Sequence, residues 1–260
     1  MFGYVPRLLA IHVLWLWCLT NVPVSAAEFY AVVEREGIVA LCLSKGALLF
    51  ADRCEGSGRL SIVQPIKEGT VVWRSAIGTV SLENDTPNAG CALSHAKWDP
   101  KSEEVVSTGR KIAKIDRSAL LERMKQNLLK DADAVENDIA AFALDLDGDG
   151  KEEIVFAASN LNRLAEHYSG DEPVPYFVYA GVLAKDSTFP MLFFHDRGDY
   201  LGGTDAIGDV TIKGVVPIAP GSGELALLIK GGSGLSGDQT LIRYWHGGIQ
   251  RIDTFEFICN

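Results

Sequence analysis

Between positions 145 and 153 the chain reads Asp-Leu-Asp-Gly-Asp-Gly-Lys-Glu-Glu. Asp145, Asp147 and Asp149 alternate with other residues, and Glu153 follows the last of them by one helical-turn length of chain. Ionised carboxylates offer only acceptor oxygens, and a loop that gathers several of them is built to surround a hard cation. Counting Asp145 as the first position, the predicted ligands are the side chains of Asp145, Asp147, Asp149 and Glu153, with the main-chain carbonyl of Lys151 between them. Gly148 and Gly150 let the backbone fold back, and Gly150 falls where the turn is sharpest, a conformation that a Cβ resists. Without a counter-ion, carboxylates this close repel one another. Magnesium demands a stricter octahedron and keeps several waters, so Ca²⁺ is the expected ion. An Asp-Gly turn without metal is the alternative.

An EF-hand shares the first, third, fifth and sixth positions of this loop, but it needs a bidentate Glu at the twelfth and helices on both sides. Phe156 stands at the twelfth position here, and the flanks Ala-Phe-Ala-Leu and Ile-Val-Phe-Ala read as strands. The loop instead resembles the calcium-binding β-hairpin loop of FG-GAP and VCBS-type repeats, the family that includes integrin α-subunit propellers. The pattern D-x-D-x-D-G-x-x-[DE] followed by an apolar strand is met by Asp145, Asp147, Asp149, Gly150, Glu153 and Ile154-Val155. The resemblance covers residues 145–157 only. It implies a calcium loop between two antiparallel strands and says nothing of a substrate. Propellers repeat this unit around a ring, which a chain with one intact copy does not do.

No comparable pattern supports catalysis. There is no G-x-S-x-G elbow and no H-E-x-x-H, and the glycine-rich run at 231–237 reads as a loop. His195 and Asp196 are neighbours on a predicted strand, which points their side chains to opposite faces. A carboxylate pair for glycoside hydrolysis is spatial and leaves no sequence mark.

The elements that hold the acidic loop are short β runs. Residues 139–144 lead into it and 154–157 leave it, and further strands are predicted at 176–183, 191–195, 210–218, 225–229 and 241–245, with a hairpin turn at His246-Gly247-Gly248. Laying residues 216–228 over 145–157 puts Gly221 under Gly150 and Glu224 under Glu153, with the Asp positions replaced by Val216, Ile218 and Pro220. A second hairpin without cation ligands is expected there. One helix precedes the loop: Asp116 caps it, and Leu120, Leu121, Met124, Leu128 and Leu129 recur at helical spacing through Lys130. Upstream, Ile38-Val39-Ala40-Leu41, Ala47-Leu48-Leu49-Phe50, Leu60-Ser61-Ile62-Val63 and Thr70-Val71-Val72-Trp73 read as strands between turn signals. The expected fold is mainly β with one helix, its antiparallel sheets built from β-hairpin repeats, propeller-blade-like or sandwich. Residues 28–98 form an N-terminal β module, 99–116 a polar connector, and 117–260 the helix with the FG-GAP/VCBS-like β module.

Residues 1–27 have the layout of a secretory signal peptide. Arg7 is the sole charge before Glu28, an apolar run follows, and Val24-Ser25-Ala26-Ala27 supplies a small-residue cleavage site. The run is shorter than the ~20 residues that span a bilayer, and His12 interrupts it. No other run approaches that length, so no membrane span is expected in the mature chain. A formal net charge of −10 argues against nucleic acid as a partner, and none is expected. Cys18 leaves with the signal, and Cys42, Cys54, Cys91 and Cys259 remain, an even set that suits disulfides in an oxidising compartment. Three pairings are open. A hairpin turning at Ser44-Lys45-Gly46 does not place Cys42 opposite Cys54, which favours Cys54–Cys91 with Cys42–Cys259. The expectation is a secreted or periplasmic calcium-binding β protein, a non-catalytic binding or interaction module with a protein or glycan partner. The alternative is a secreted, glycan-directed hydrolase in which the calcium is structural.

Overall fold

The computed structural model describes residues 27–34, 37–44, 47–50, 58–63, 70–83 and 95–111, and, with short interruptions, residues 113–258. Before residue 113, side chains are described only for residues 41–43 and 47–50. Residues 1–26, and with them most of the expected signal peptide, lie outside the described residues, as do Cys54, Cys91 and Cys259.

Among the described residues strands dominate, in three sheets. The first has the order β3-β2-β1-β4-β5-β6, with β1 Ala27–Glu34, β2 Gly37–Ser44, β3 Ala47–Phe50, β4 Gly58–Val63, β5 Thr70–Glu83 and β6 His95–Lys111. All neighbours run antiparallel except β1 and β4, which are parallel. The four upstream strand expectations fall inside β2 to β5. In the β2–β3 hairpin Cys42 faces Leu49, as expected for a turn at residues 44–46. Most of residues 99–116, expected as a polar connector, lie in β6, which pairs with β5. Their polarity misleads because β6 is an edge strand, whose main chain finds its partner in β5 on one side only. Pro100, which has no N–H to give a ladder, is tolerated in such a strand and sits beside a register shift.

The other two sheets are four-stranded meanders in sequence order. One is β7 Ile139–Leu144, β8 Glu153–Ser159, β9 Val174–Leu183 and β10 Met191–Tyr200; the other is β11 Asp209–Pro217, β12 Leu225–Gly232, β13 Ser236–Trp245 and β14 Gly248–Ile258. Each is an antiparallel chain of hairpins, and the described strands close no barrel. Along β8 the residues alternate between two cores. Val155 and Ala157 belong to a core shared with the β11–β14 sheet, while Phe156 and Ala158 belong to one shared with a helix. A strand covered on both faces reads as an unbroken apolar run, as this one does. The larger core continues to Leu41, Leu48 and Phe50, so β2 and β3 share it.

The helix against the second face is α1 (Arg117–Asn127). Asp116 caps it, its Oδ1 accepting from Ala119 N–H at 3.2 Å. Leu120, Leu121 and Met124 are buried against Phe156, Phe177 and Tyr179, with Leu129 just beyond the end. The helix stops before Lys130 because Leu128 and Leu129 both donate to the Met124 carbonyl, at 2.7 and 2.9 Å.

A second helix, α2 (Leu161–His167), was not expected. It is short, and only Leu161 and Leu164 are buried. Its Arg163 reaches the 3-10 turn at Glu136–Asp138, where the guanidinium donates to both Asp138 oxygens at 3.3 and 3.1 Å and to Asp133 Oδ2 at 3.1 Å. Asp138 is buried, and this pair is what makes its charge tolerable there.

Candidate metal centre

The acidic loop occupies residues 145–152, the connection of the β7–β8 hairpin, whose last pair is Leu144 with Glu153. Leu146 is completely buried and pins the loop to the core, so the Asp residues on either side project from a fixed backbone. Asp145, Asp147 and Asp149 each bring a carboxylate oxygen within 4.8 Å of the others. This cluster could hold a metal ion.

Main-chain N–H groups position the carboxylates. Asp145 Oδ1 accepts from Gly148 at 2.8 Å and its Oδ2 from Gly150 at 3.1 Å. Asp147 Oδ1 accepts from Asp149 at 3.3 Å, and Asp149 Oδ1 from Lys151 at 2.7 Å. These donors offset part of the mutual repulsion, so the loop does not depend on a cation alone. Gly148 and Gly150 have φ of 77° and 84°, the left-handed region their sequence positions implied. Gly148 carries a second constraint, since a Cβ there would lie 3.3 Å from the Gly223 backbone.

Glu153 stands apart from the triad. It is buried at the first residue of β8, and its Oε2 accepts from Leu146 N–H at 2.9 Å. Burial pushes its carboxyl up to about 7; the Leu146 N–H works against this, and the charges of Asp147, Asp149 and Asp145 add to it. Lys151 is exposed, with its N–H tied to Asp149.

Two neighbours of the loop were not legible as such. The β11–β12 connection meets it at Gly223 and Leu225: Leu225 N–H donates to the Leu146 carbonyl at 2.8 Å. Its glycines at 221 and 223 also have positive φ, so the second hairpin turns in a related way without acidic ligands. Glu224, aligned by sequence with Glu153, has a different role and forms an ion pair with Arg243. Tyr244 of β13 is buried, and its hydroxyl is pushed above its usual range by burial first, then by the charges of Glu153, Asp147 and Asp149. The repeat in the sequence hinted at the first neighbour; nothing in the sequence placed Tyr244 near the loop.

Among the described residues His195 and Asp196 do not pair with each other. Asp196 accepts from Tyr176 Oη at 3.1 Å rather than from His195. His246 has φ of 47° and forms, with Gly247, the tight turn between β13 and β14. The fold and site thus define a three-sheet β protein with an acidic hairpin loop. Comparison with protein-family models, with curated proteins and with solved structures finds no match to the chain.

Proposed function

We propose that this is an exported calcium-binding β protein in which the ion is structural and the protein acts as a non-catalytic binding or interaction module for a protein or glycan. The observation that carries it is the Asp145, Asp147 and Asp149 cluster on a loop locked to the core by Leu146 and to the next hairpin by Leu225. Glu153, whose Oε2 accepts from Leu146 N–H, and the Lys151 carbonyl complete the proposed donor set. An all-oxygen set on a glycine-bearing loop suits the flexible coordination of calcium. The resemblance to FG-GAP and VCBS loops supports the same ion. The even set Cys42, Cys54, Cys91 and Cys259 suits pairing in an oxidising compartment, which supports the export reading. In the described part of the chain, no helix is long and apolar enough to cross a membrane.

The test uses the mature chain. Calcium should bind at one site with a Kd on the order of 10⁻⁴–10⁻³ M, the range of extracellular modules. Terbium in its place should show luminescence excited through Tyr244, quenched by excess calcium and weakened in Tyr244→Phe. Binding and the calcium-dependent rise in Tm should both vanish in Asp147→Ala. Absence of a calorimetric signal in the wild type removes the calcium proposal. Equal melting with calcium and with chelator, beside calcium-dependent glycan hydrolysis, favours the hydrolase instead.

A further inference from the structure

β7 and β11 are edge strands of their sheets, and a groove of about 1190 Å³ lies between them, walled by the segment leading into α1. That exceeds the ~300–1,000 Å³ of small-molecule sites. Among the described residues the β7 edge is engaged at both ends, by the Glu136 carbonyl at the Ile139 N–H and by Ala113 at Ala143, and is open between them. Ala113 and Ala143 exchange both main-chain bonds, at 3.2 and 3.4 Å. Outward-facing residues alternate along an antiparallel strand, so Ala141 faces the same edge. Among the described residues nothing pairs with its N–H or C=O there. The sequence Ile-Ala-Ala-Phe-Ala-Leu contains no proline or charge, and its register with β8 is unbroken. Edges of this kind join other strands unless guarded.

The chemistry of the walls selects the occupant. Phe142, Ala157, Val210 and Ile212 give one side of the groove apolar contact. Among the described residues the charged lining is Asp116, Glu136, Asp138 and Asp209 against Arg117, and Arg163 pairs with Asp138. A second copy of the chain pairing through β7 would bring the same acids together, so self-association is disfavoured.

We propose that this groove accepts an extended basic segment of a partner protein as an added strand on β7, its apolar side chains directed between the sheets and its Lys or Arg side chains toward the acidic wall. Main-chain bonds to Ala141 supply affinity, and alternate side chains supply selectivity. This rests on the interaction-module reading and is independent of the calcium.

The probe is a fluorescent octapeptide alternating valine and lysine, titrated onto the mature protein by anisotropy. Binding should weaken at least tenfold when alternate peptide amides are N-methylated, and at least tenfold in Glu136→Lys/Asp209→Lys. Amide exchange at residues 139–143 should slow when the peptide is bound. Equal affinity of the N-methylated peptide overturns strand addition, whatever the variant does. Protection at another surface, or a dimer whose β7 is protected without peptide, overturns this groove while leaving an interaction module intact. Cleavage of the peptide, read by mass spectrometry, would overturn the non-catalytic reading itself.

Discussion

At the scale of single residues, the acidic loop concentrates two kinds of constraint. Its glycines differ in what surrounds them: nothing lies within 4 Å of a Cβ built on Gly150, whereas Gly148 abuts the Gly223 backbone. Gly150→Ala should therefore cost about 1 kcal/mol, the penalty of a left-handed residue. Gly148→Ala should cost more, because the neighbouring loop must also shift. Urea unfolding of the two variants measures the difference.

Glu153 makes a pH prediction with a definite sign. Its carboxyl rises from 4.5 to about 7 on folding, so between those values the native state holds more protons than the unfolded one. Stability of the calcium-free protein should accordingly fall as pH rises from about 4.5 to 7, by up to about 3 kcal/mol from this group. Glu153→Gln, which keeps an acceptor for Leu146 N–H, should flatten that slope. Calcium should flatten it too, by compensating the charge. Equilibrium unfolding in chelator across this pH window decides it.

At the scale of elements, what could be read depended on whether a pattern was local. The α1 stripe and its Asp116 cap were legible because helical period and cap lie within one segment. The β7 and β8 runs were legible for the same reason. β6 was not: a polar strand is made by its neighbour β5, and no residue within 95–111 announces that neighbour. Nor was α2, whose two buried leucines are too few to establish a period. The triad was fully visible in the chain, while its contacts with residues 223 and 225 and its proximity to Tyr244 arise only when separate hairpins pack. α2 also carries the third prediction. Arg163→Met leaves Asp138 buried without its partner and should cost about 3–5 kcal/mol. The double variant with Asp138→Asn should recover most of that loss, which a thermodynamic cycle from denaturant unfolding will show.

At the scale of the whole molecule, the two meanders are coupled through the loop rather than merely stacked. The Leu225 amide donates across to Leu146, so an ion that stiffens residues 145–153 should protect an amide in the other sheet. Hydrogen exchange with and without calcium should show slower exchange at Leu225 as well as at Leu146. At a tenfold excess over Kd the global gain should be about 1.4 kcal/mol. Protection confined to the acidic loop would show that the hairpins respond independently.

One contact ties the beginning of the fold to its end. The Phe50 N–H on edge strand β3 donates at 3.2 Å to Asp253 of β14, two hundred and three positions away in sequence. During synthesis the chain emerges in order, so the Phe50–Asp253 bond cannot form until β14 has been made. The meanders, whose partners are sequence neighbours, have no such delay, because short loops close at lower entropic cost. The N-terminal sheet is thus the part of the protein that a stalled or prematurely terminated chain leaves uncovered. A nascent chain cut short before β14 would expose the apolar faces of Leu41, Leu48 and Phe50 to whatever quality-control machinery surveys it.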